Sequence, residues 1–381
     1  MTVLHLISSE GYYGAEAMLV TLARHSSYLG CNNLVSMFLD SRHPHTEVGD
    51  QARRWGLTVE TVPCDGRWNW KVVRRLSDLL NKHDVDVLHT HGYKADFYGY
   101  LAAWPHRVTL VATCHNWPNK QRIMRAYAVL DRWILRKFDR VAVVSDSLRS
   151  VLRQSAFPAD KVAVIYNGVS ADYFAGARPS LHAEKACGRL VGFVGRLVEC
   201  KGGAVLLRAA RTVLERYPDV AFVLAGEGPL RSELEVMAAR LGIAEKVRFL
   251  GNRSDIPAVY ASLDMLVLPS LDEAAPMCVL EAMASAKPVI ATRVGALPKL
   301  VIPEVTGILV EAGDAAGLAE NILHLLHNPG LARRLGENGR LHAARYFSAE
   351  AMAASYVELY RQARAVQRSP GESVTPSVDQ I

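Results

Sequence analysis

Although 50% of the 381 residues are hydrophobic, no apolar run reaches the roughly 18 residues that a membrane-spanning helix needs. The first residues, MTVLHLISSE, lack the basic segment of a secretory signal and read as a strand. The 6 cysteines (Cys31, Cys64, Cys114, Cys187, Cys200 and Cys278) include no Cys-x-x-Cys pair. They read as reduced thiols of a cytoplasmic protein, most of them filling core. Gly226-Glu227-Gly228-Pro229 lacks the third glycine of a dinucleotide fingerprint, because Leu230 and Arg231 follow. His89-Thr90-His91 shows no third ligand, so it reads as a loop lining a cleft rather than as a metal pair. No metal, no cofactor and no nucleic-acid partner is expected.

The formal charge of +6 sits in one half of the chain. Residues 1–180 hold 22 Lys+Arg against 16 Asp+Glu, and the remainder holds 22 against 22. A basic first half suits something anionic, a membrane surface or a charged acceptor, and equally a plain solvated excess.

A chain of 381 residues exceeds what one core usually organises, which predicts two domains. Strand and helix patterns alternate through residues 1–170. Strands are expected at 2–8, 33–39, 57–63, 84–91, 107–115, 140–145 and 161–168. Periodicity fades over 171–188, the expected linker. Alternation restarts over 189–347, with strands at 189–195, 220–226, 246–251, 264–269, 287–292 and 305–310. A last helix is expected at 348–365 and a disordered Pro/Ser-rich tail at 368–381. Such alternation predicts doubly wound parallel sheets, an α/β fold.

The chain is organised around SLDEAAPMCVLEAMASA (270–286). It lies between two buried strands and turns helical at Pro276. Glu273 therefore belongs to a loop at the C-terminal end of a strand, where open parallel sheets bind ligands, and Glu281 to the following helix. The free N–H groups at that helix start suit an anion. Upstream, GFVGRLVECKGG (192–203) ends a buried strand and turns at Gly195. Arg196 and Lys201 follow, two cations able to grip a diphosphate.

These motifs resemble those of retaining glycosyltransferases of the GT-B fold, the group of glycogen synthases and bacterial mannosyl- and glucosyltransferases. The shared patterns are Glu-x7-Glu (Glu273, Glu281) with Pro276 and Met277, and Gly-Arg-x4-Lys-Gly (Gly195, Arg196, Lys201, Gly202). The resemblance covers roughly residues 1–365. It implies two Rossmann-like domains facing a cleft, the first binding the acceptor and the second the nucleotide sugar, with the last helix crossing back onto the first. It also implies roles. Glu273 faces the donor sugar, Glu281 holds the ribose, and Arg196 and Lys201 hold the diphosphate in place of a divalent metal. His115 lines the sugar. Gly14, in a loop matching Gly-Ala-Glu (Gly14, Ala15, Glu16), closes over the donor. Gly226, Glu227, Leu250 and the helix start Pro276, Met277 and Cys278 line the nucleotide pocket. Two departures stand out. Tyr13 replaces a glycine of the first loop, and Ala274 replaces the usual glycine after Glu273. If position 274 needed positive φ, alanine would cost roughly 1 kcal/mol or more. Asp84-Val85-Asp86 looks like the metal-binding Asp-x-Asp of the other large glycosyltransferase fold, but it opens a strand, away from the ligand edge.

A basic helix is expected near 120–137. Stepping about 100° per residue puts Arg122, Arg125, Arg132 and Arg136 on one arc with Val129 and Trp133. Ile123, Tyr127, Ile134, Leu135 and Phe138 fall on the other side, with Asp131 a lone charge among them. The basic arc suits anionic lipid, and equally a plain solvated face. The expected activity is retaining transfer of a hexose from a UDP- or GDP-linked sugar to a hydroxyl on a lipid-linked or growing glycan. The expected place is the cytoplasm, with peripheral contact at the membrane. Two alternatives share these motifs: a nucleotide-sugar epimerase, and a non-catalytic subunit that binds nucleotide sugar.

Overall fold

The computed structural model describes residues 1–65, 69–116, 122–185 and 188–368, and of 122–128 and 367–368 the backbone alone. Seven strands form the first sheet: β1 (Thr2–Ile7), β2 (Asn32–Leu39), β3 (Thr58–Pro63), β4 (Val87–His91), β5 (Thr109–Cys114), β6 (Arg140–Val143) and β7 (Val162–Val164). Six form the second: β8 (Arg189–Val194), β9 (Val220–Ala225), β10 (Val247–Gly251), β11 (Met265–Leu268), β12 (Val289–Thr292) and β13 (Ile308–Val310). The spatial orders are β3-β2-β1-β4-β5-β6-β7 and β10-β9-β8-β11-β12-β13, and every neighbouring pair is parallel. Each sheet starts at its first strand, runs outward one way, then jumps back across that strand. The reversal leaves a crevice at the C-terminal ends of β1 and β4 in one sheet, and of β8 and β11 in the other.

Two helices of more than one turn fall where no helix is expected from the sequence. Glu47–Arg54 is short and largely polar, burying only Val48, Gly49 and Ala52. Tyr93–Ala103 connects β4 to β5 and is covered on most sides, with Ala95, Asp96, Tyr98, Gly99, Ala102 and Ala103 buried. A helix covered on most sides has no amphipathic stripe to read. The segment expected as a linker carries two single turns of helix, Ala171–Phe174 and His182–Lys185. Most of the expected tail, from 369 on, lies outside the described residues.

The long helix Ala349–Arg368 lies against the first sheet. Tyr360 hydrogen-bonds His89 Nδ1 at 2.7 Å and Tyr356 hydrogen-bonds Thr113 at 3.0 Å. Arg364 pairs with Asp86 at 2.6 Å, and Asp86 also accepts from the Thr2 amide at 2.8 Å. The second aspartate of Asp84-Val85-Asp86 therefore anchors this helix at the N-terminal edge of the sheet. Through Met352, Tyr356 and Tyr360 the core under the second sheet continues to Val3, Met18 and Leu22 under the first.

The helix Arg122–Leu135 buries Ile134 and Leu135, and Phe138 just beyond it, and leaves Val129, Leu130 and Trp133 exposed. Asp131 is buried and hydrogen-bonds Asp96 of the neighbouring helix. Burial first, then the nearby Asp131, holds the Asp96 carboxyl well above the usual range. Arg132 is half-buried and Arg136 exposed. The side chains of Arg122 and Arg125 lie outside the described ones.

Candidate active site

The candidate residues converge on the two crevices. In the second sheet β8 ends at Val194, and the turn that follows leads to Arg196 and Lys201. Across the reversal, β11 ends at Leu268 and leads to Ser270 and Glu273. Lys201 Nζ donates to Glu273 Oε1, and Ser270 Oγ donates to the same oxygen at 2.8 Å. The Lys201 and Glu273 side chains are 18% and 6% exposed, so this ion pair is largely desolvated. Burial alone would pull the Lys201 ammonium down, but the Glu273 carboxylate more than offsets it and the pKa is raised. Lys201 is therefore charged at neutral pH.

Arg196 is exposed and, among the described residues, forms no ion pair. Its guanidinium lies 5.7 Å from the centre of the Tyr13 ring, which comes from the loop after β1. The Tyr13 side chain also lies near Asn252, just past β10. The residue that replaces a family glycine thus spans the cleft. Gly14 lies against the side chain of Met277, and a Cβ at 14 would meet it at an ordinary 3.6 Å, so no steric demand for glycine acts there. Glu16 is used locally: Oε2 accepts from the Tyr13 amide at 3.0 Å, fixing the start of the helix Gly14–Ser27.

Pro276 stands one residue ahead of the helix Met277–Ala284. Met277 and Cys278 are buried, and burial pushes the Cys278 thiol up to about 12. Glu281 accepts from Tyr260 Oη at 2.9 Å, and burial raises its carboxyl to about 7 against that bond. Ala274 has no positive φ, so the strain cost of replacing glycine does not arise. Ala274 and Ala275 meet the core of the first half, where Asn167 Nδ2 donates to Ala275 O at 3.0 Å. The Glu273 loop is thereby tied to the opposite half.

At the edge of this pocket Gly226 has φ +135°, and a Cβ there would lie 2.0 Å from the Gly195 carbonyl oxygen, so only glycine fits. Glu227 pairs with Arg231. Leu250 sits where the register of β10 against β9 shifts, between Phe249 and Gly251. In the first half, His115 follows β5, and its Nε2 lies 3.1 Å from His91 Nδ1. Burial lowers His115 to about 4, so it is neutral at physiological pH.

Three supporting residues were not singled out from the sequence: Ser270, Tyr260 and Gly295. Gly295 has φ +52°, and a Cβ there would lie 1.6 Å from the Glu273 carbonyl oxygen. None belongs to a spacing pattern that names a chemistry. A correction concerns His89-Thr90-His91. It is not a loop but part of the buried strand β4, and a third histidine, His5, lies beside it on β1. Arg132 and Arg136 stand apart from the pocket, and Arg136 donates to the Ser155 carbonyl at 2.9 Å.

Residues 182–342 match the family described as glycosyl transferases group 1, and residues 12–173 match glycosyltransferase family 4. The chain is 33% identical over 327 residues to the D-inositol 3-phosphate glycosyltransferase of Corynebacterium urealyticum, covering 81% of this chain and 73% of that protein. It is 29% identical to an uncharacterized glycosyltransferase of Methanocaldococcus jannaschii, over 74% of this chain and 77% of that one. The fold is similar to that of Anabaena HepE in complex with UDP and glucose. The TM-score is 0.81 at 23% identity, over 94% of this chain and 98% of that one. Sucrose-phosphate synthase from Thermosynechococcus elongatus gives a TM-score of 0.77 at 23% identity, over 96% of this chain and 100% of that one.

Proposed function

The chain belongs to the group 1 glycosyltransferases and has the GT-B fold, and from that premise we propose retaining transfer of a hexose from a UDP- or GDP-linked donor. The observation that carries the reading is the Lys201–Glu273 pair at the crevice, with Arg196, on the same loop, forming no ion pair among the described residues. Breaking the sugar–phosphate bond sends an electron pair onto the diphosphate. Arg196 and Lys201 are fixed cations placed to stabilise that growing charge, so the proposed reaction uses no divalent metal. The N–H groups at the start of the helix Met277–Ala284 add to them.

Glu273, fixed by Lys201 and Ser270, orients the sugar. Neutral His115 lines the sugar from the opposite half without adding a charge. Glu281 accepts the ribose hydroxyls, and the backbone at Leu250, where the β10–β9 ladder is interrupted, meets the base. The acceptor oxygen attacks the face that the diphosphate leaves. Its proton passes to the departing diphosphate, and the new C–O bond keeps the anomeric configuration. Lys201→Ala and Arg196→Ala are each expected to cut turnover by ~10²–10³. Steady-state kinetics on a panel of nucleotide sugars tests this, and near-wild-type turnover in both variants overturns the diphosphate assignment.

For the acceptor we propose a lipid-linked or growing glycan, reached at the inner face of the membrane. Exposed Val129, Leu130 and Trp133 share the helix Arg122–Leu135 with Arg122, Arg125 and Arg132, and Arg136 follows it. Aromatic and basic residues on one helix suit an anionic lipid surface. This reading rests on the surface of that helix alone, independently of the donor site.

A further inference from the structure

The first sheet buries three imidazoles with no part in the reaction above. His5 on β1 and His89 on β4 are register partners in adjacent parallel strands. His91 lies two residues beyond His89, so all three project from one face of the sheet. Their ring centroids are 5.2, 5.8 and 4.2 Å apart, and one ring nitrogen of each lies within 4.8 Å of those of the other two. All three side chains are buried.

The hydrogen bonds around His5 fix its tautomer. Asn33 Nδ2 donates to Ser27 Oγ at 3.0 Å, so its Oδ1 is the acceptor that faces His5 Nε2 at 3.1 Å. The His5 proton therefore sits on Nε2, and Nδ1 presents a bare lone pair. His5 Nδ1 has no hydrogen-bond partner among the described residues, and neither has His91 Nε2. The other nitrogen of His91 is held by His115 at 3.1 Å. An imidazole anchored through one nitrogen and bare at the other is how proteins present this ligand to a metal. Burial keeps all three rings neutral, the form a metal requires, with His5 lowered to about 4.

We propose that His5 Nδ1, His91 Nε2 and His89 Nε2 form a site for one divalent transition cation of the zinc class. His89 Nε2 now bonds the Thr113 hydroxyl at 2.7 Å, but that hydroxyl has a second partner, Tyr356 Oη, at 3.0 Å. Metal binding would require the Thr113 side chain to swing its hydroxyl off this nitrogen toward Tyr356, while His89 Nδ1 stays on Tyr360 at 2.7 Å. Metal–nitrogen bonds of about 2.0–2.1 Å draw the three nitrogens in to roughly 3.3 Å from one another, and water takes the fourth position. With imidazole ligands and no carboxylate, the site selects Zn²⁺, Co²⁺, Ni²⁺ or Cu²⁺ over Mg²⁺ and Ca²⁺. It is therefore distinct from any magnesium site on a diphosphate.

The full chain, stripped with chelator, is dialysed against Zn²⁺, Co²⁺ or Mg²⁺, and bound metal is measured by elemental analysis. The site predicts one Zn²⁺ or Co²⁺ per chain, no Mg²⁺, and at least tenfold weaker binding in both His5→Phe and His91→Phe. His342→Asn, which alters a histidine outside the cluster, should bind like wild type. No stoichiometric metal on the wild-type chain, or equal binding in both Phe variants, overturns the proposal. If a variant fails to fold, the wild-type Co²⁺ spectrum decides. Intense visible bands of a four-coordinate ion support the site, and the pale spectrum of a six-coordinate ion overturns it.

Discussion

Arg196 and Lys201 occupy one motif but carry different burdens. Lys201 is enclosed and paired with Glu273, whereas Arg196 is exposed without an ion pair among the described residues. Removing one partner of a buried pair strands the other charge, at a cost of about 3–5 kcal/mol. Lys201→Ala should therefore lose both turnover and stability, and Arg196→Ala turnover alone. Denaturant unfolding of both variants checks this; equal stability would mean that the Lys201–Glu273 pair is not desolvated in solution. Glu281 gives a pH signature. Its carboxyl is raised to about 7 by burial, and in the proposed role ribose hydroxyls donate to the ionised form. Nucleoside diphosphate affinity should rise roughly tenfold from pH 6 to 8 through this group, and Glu281→Gln should remove that rise. For the ligand-free fold the sign is opposite. A raised carboxyl favours the folded state most below its ordinary 4.5, and the benefit is lost as pH rises through 7. Calorimetric titrations at several pH values that show the same slope in wild type and Glu281→Gln would remove Glu281 from the ribose.

Among the elements, the loop after β1 and the helix Arg122–Leu135 make separate predictions. Tyr13 joins that loop to Arg196 and Asn252. A cation–π contact contributes about 0.5–1 kcal/mol, so Tyr13→Ala should weaken donor binding roughly two- to fivefold by loosening Arg196. An unchanged Kd would make the contact incidental. For the basic helix, replacing Arg122, Arg125, Arg132 and Arg136 by Gln should abolish sedimentation with anionic vesicles. Each arginine contributes about 1 kcal/mol near such a surface, and the attraction fades with salt. Equal pelleting with neutral and anionic vesicles leaves only a solvated face. The strands and the long amphipathic helices were legible because their periods are written in the chain. The helix Tyr93–Ala103 was not, because burial on most sides erases the period. Glu273, Glu281, Arg196 and Lys201 stood out because their spacing names a chemistry. Ser270, Tyr260, Gly295 and His5 gain meaning only from neighbours brought close by strand order. His5 meets His89 because β1 pairs with β4, a fact no local pattern contains.

At the scale of the molecule, the two halves are stitched at the site itself. Asn167 holds the Glu273 loop, Tyr13 reaches Arg196, and the helix Ala349–Arg368 returns from the second half to seal the first sheet. The loop after β1 thus meets the crevice of the second half through Tyr13 and Arg196, and the proposed transfer between two bound substrates needs such an arrangement. The central claim is retaining transfer powered by departure of the diphosphate. Its most direct measurement needs no acceptor. A panel of UDP- and GDP-hexoses is incubated with the protein, and the anomer first released by slow hydrolysis is read by proton NMR before mutarotation. The account predicts the α anomer from an α-linked donor, together with free nucleoside diphosphate, and neither product above background with Lys201→Ala. First release of the β anomer, or release undiminished in Lys201→Ala, would contradict it.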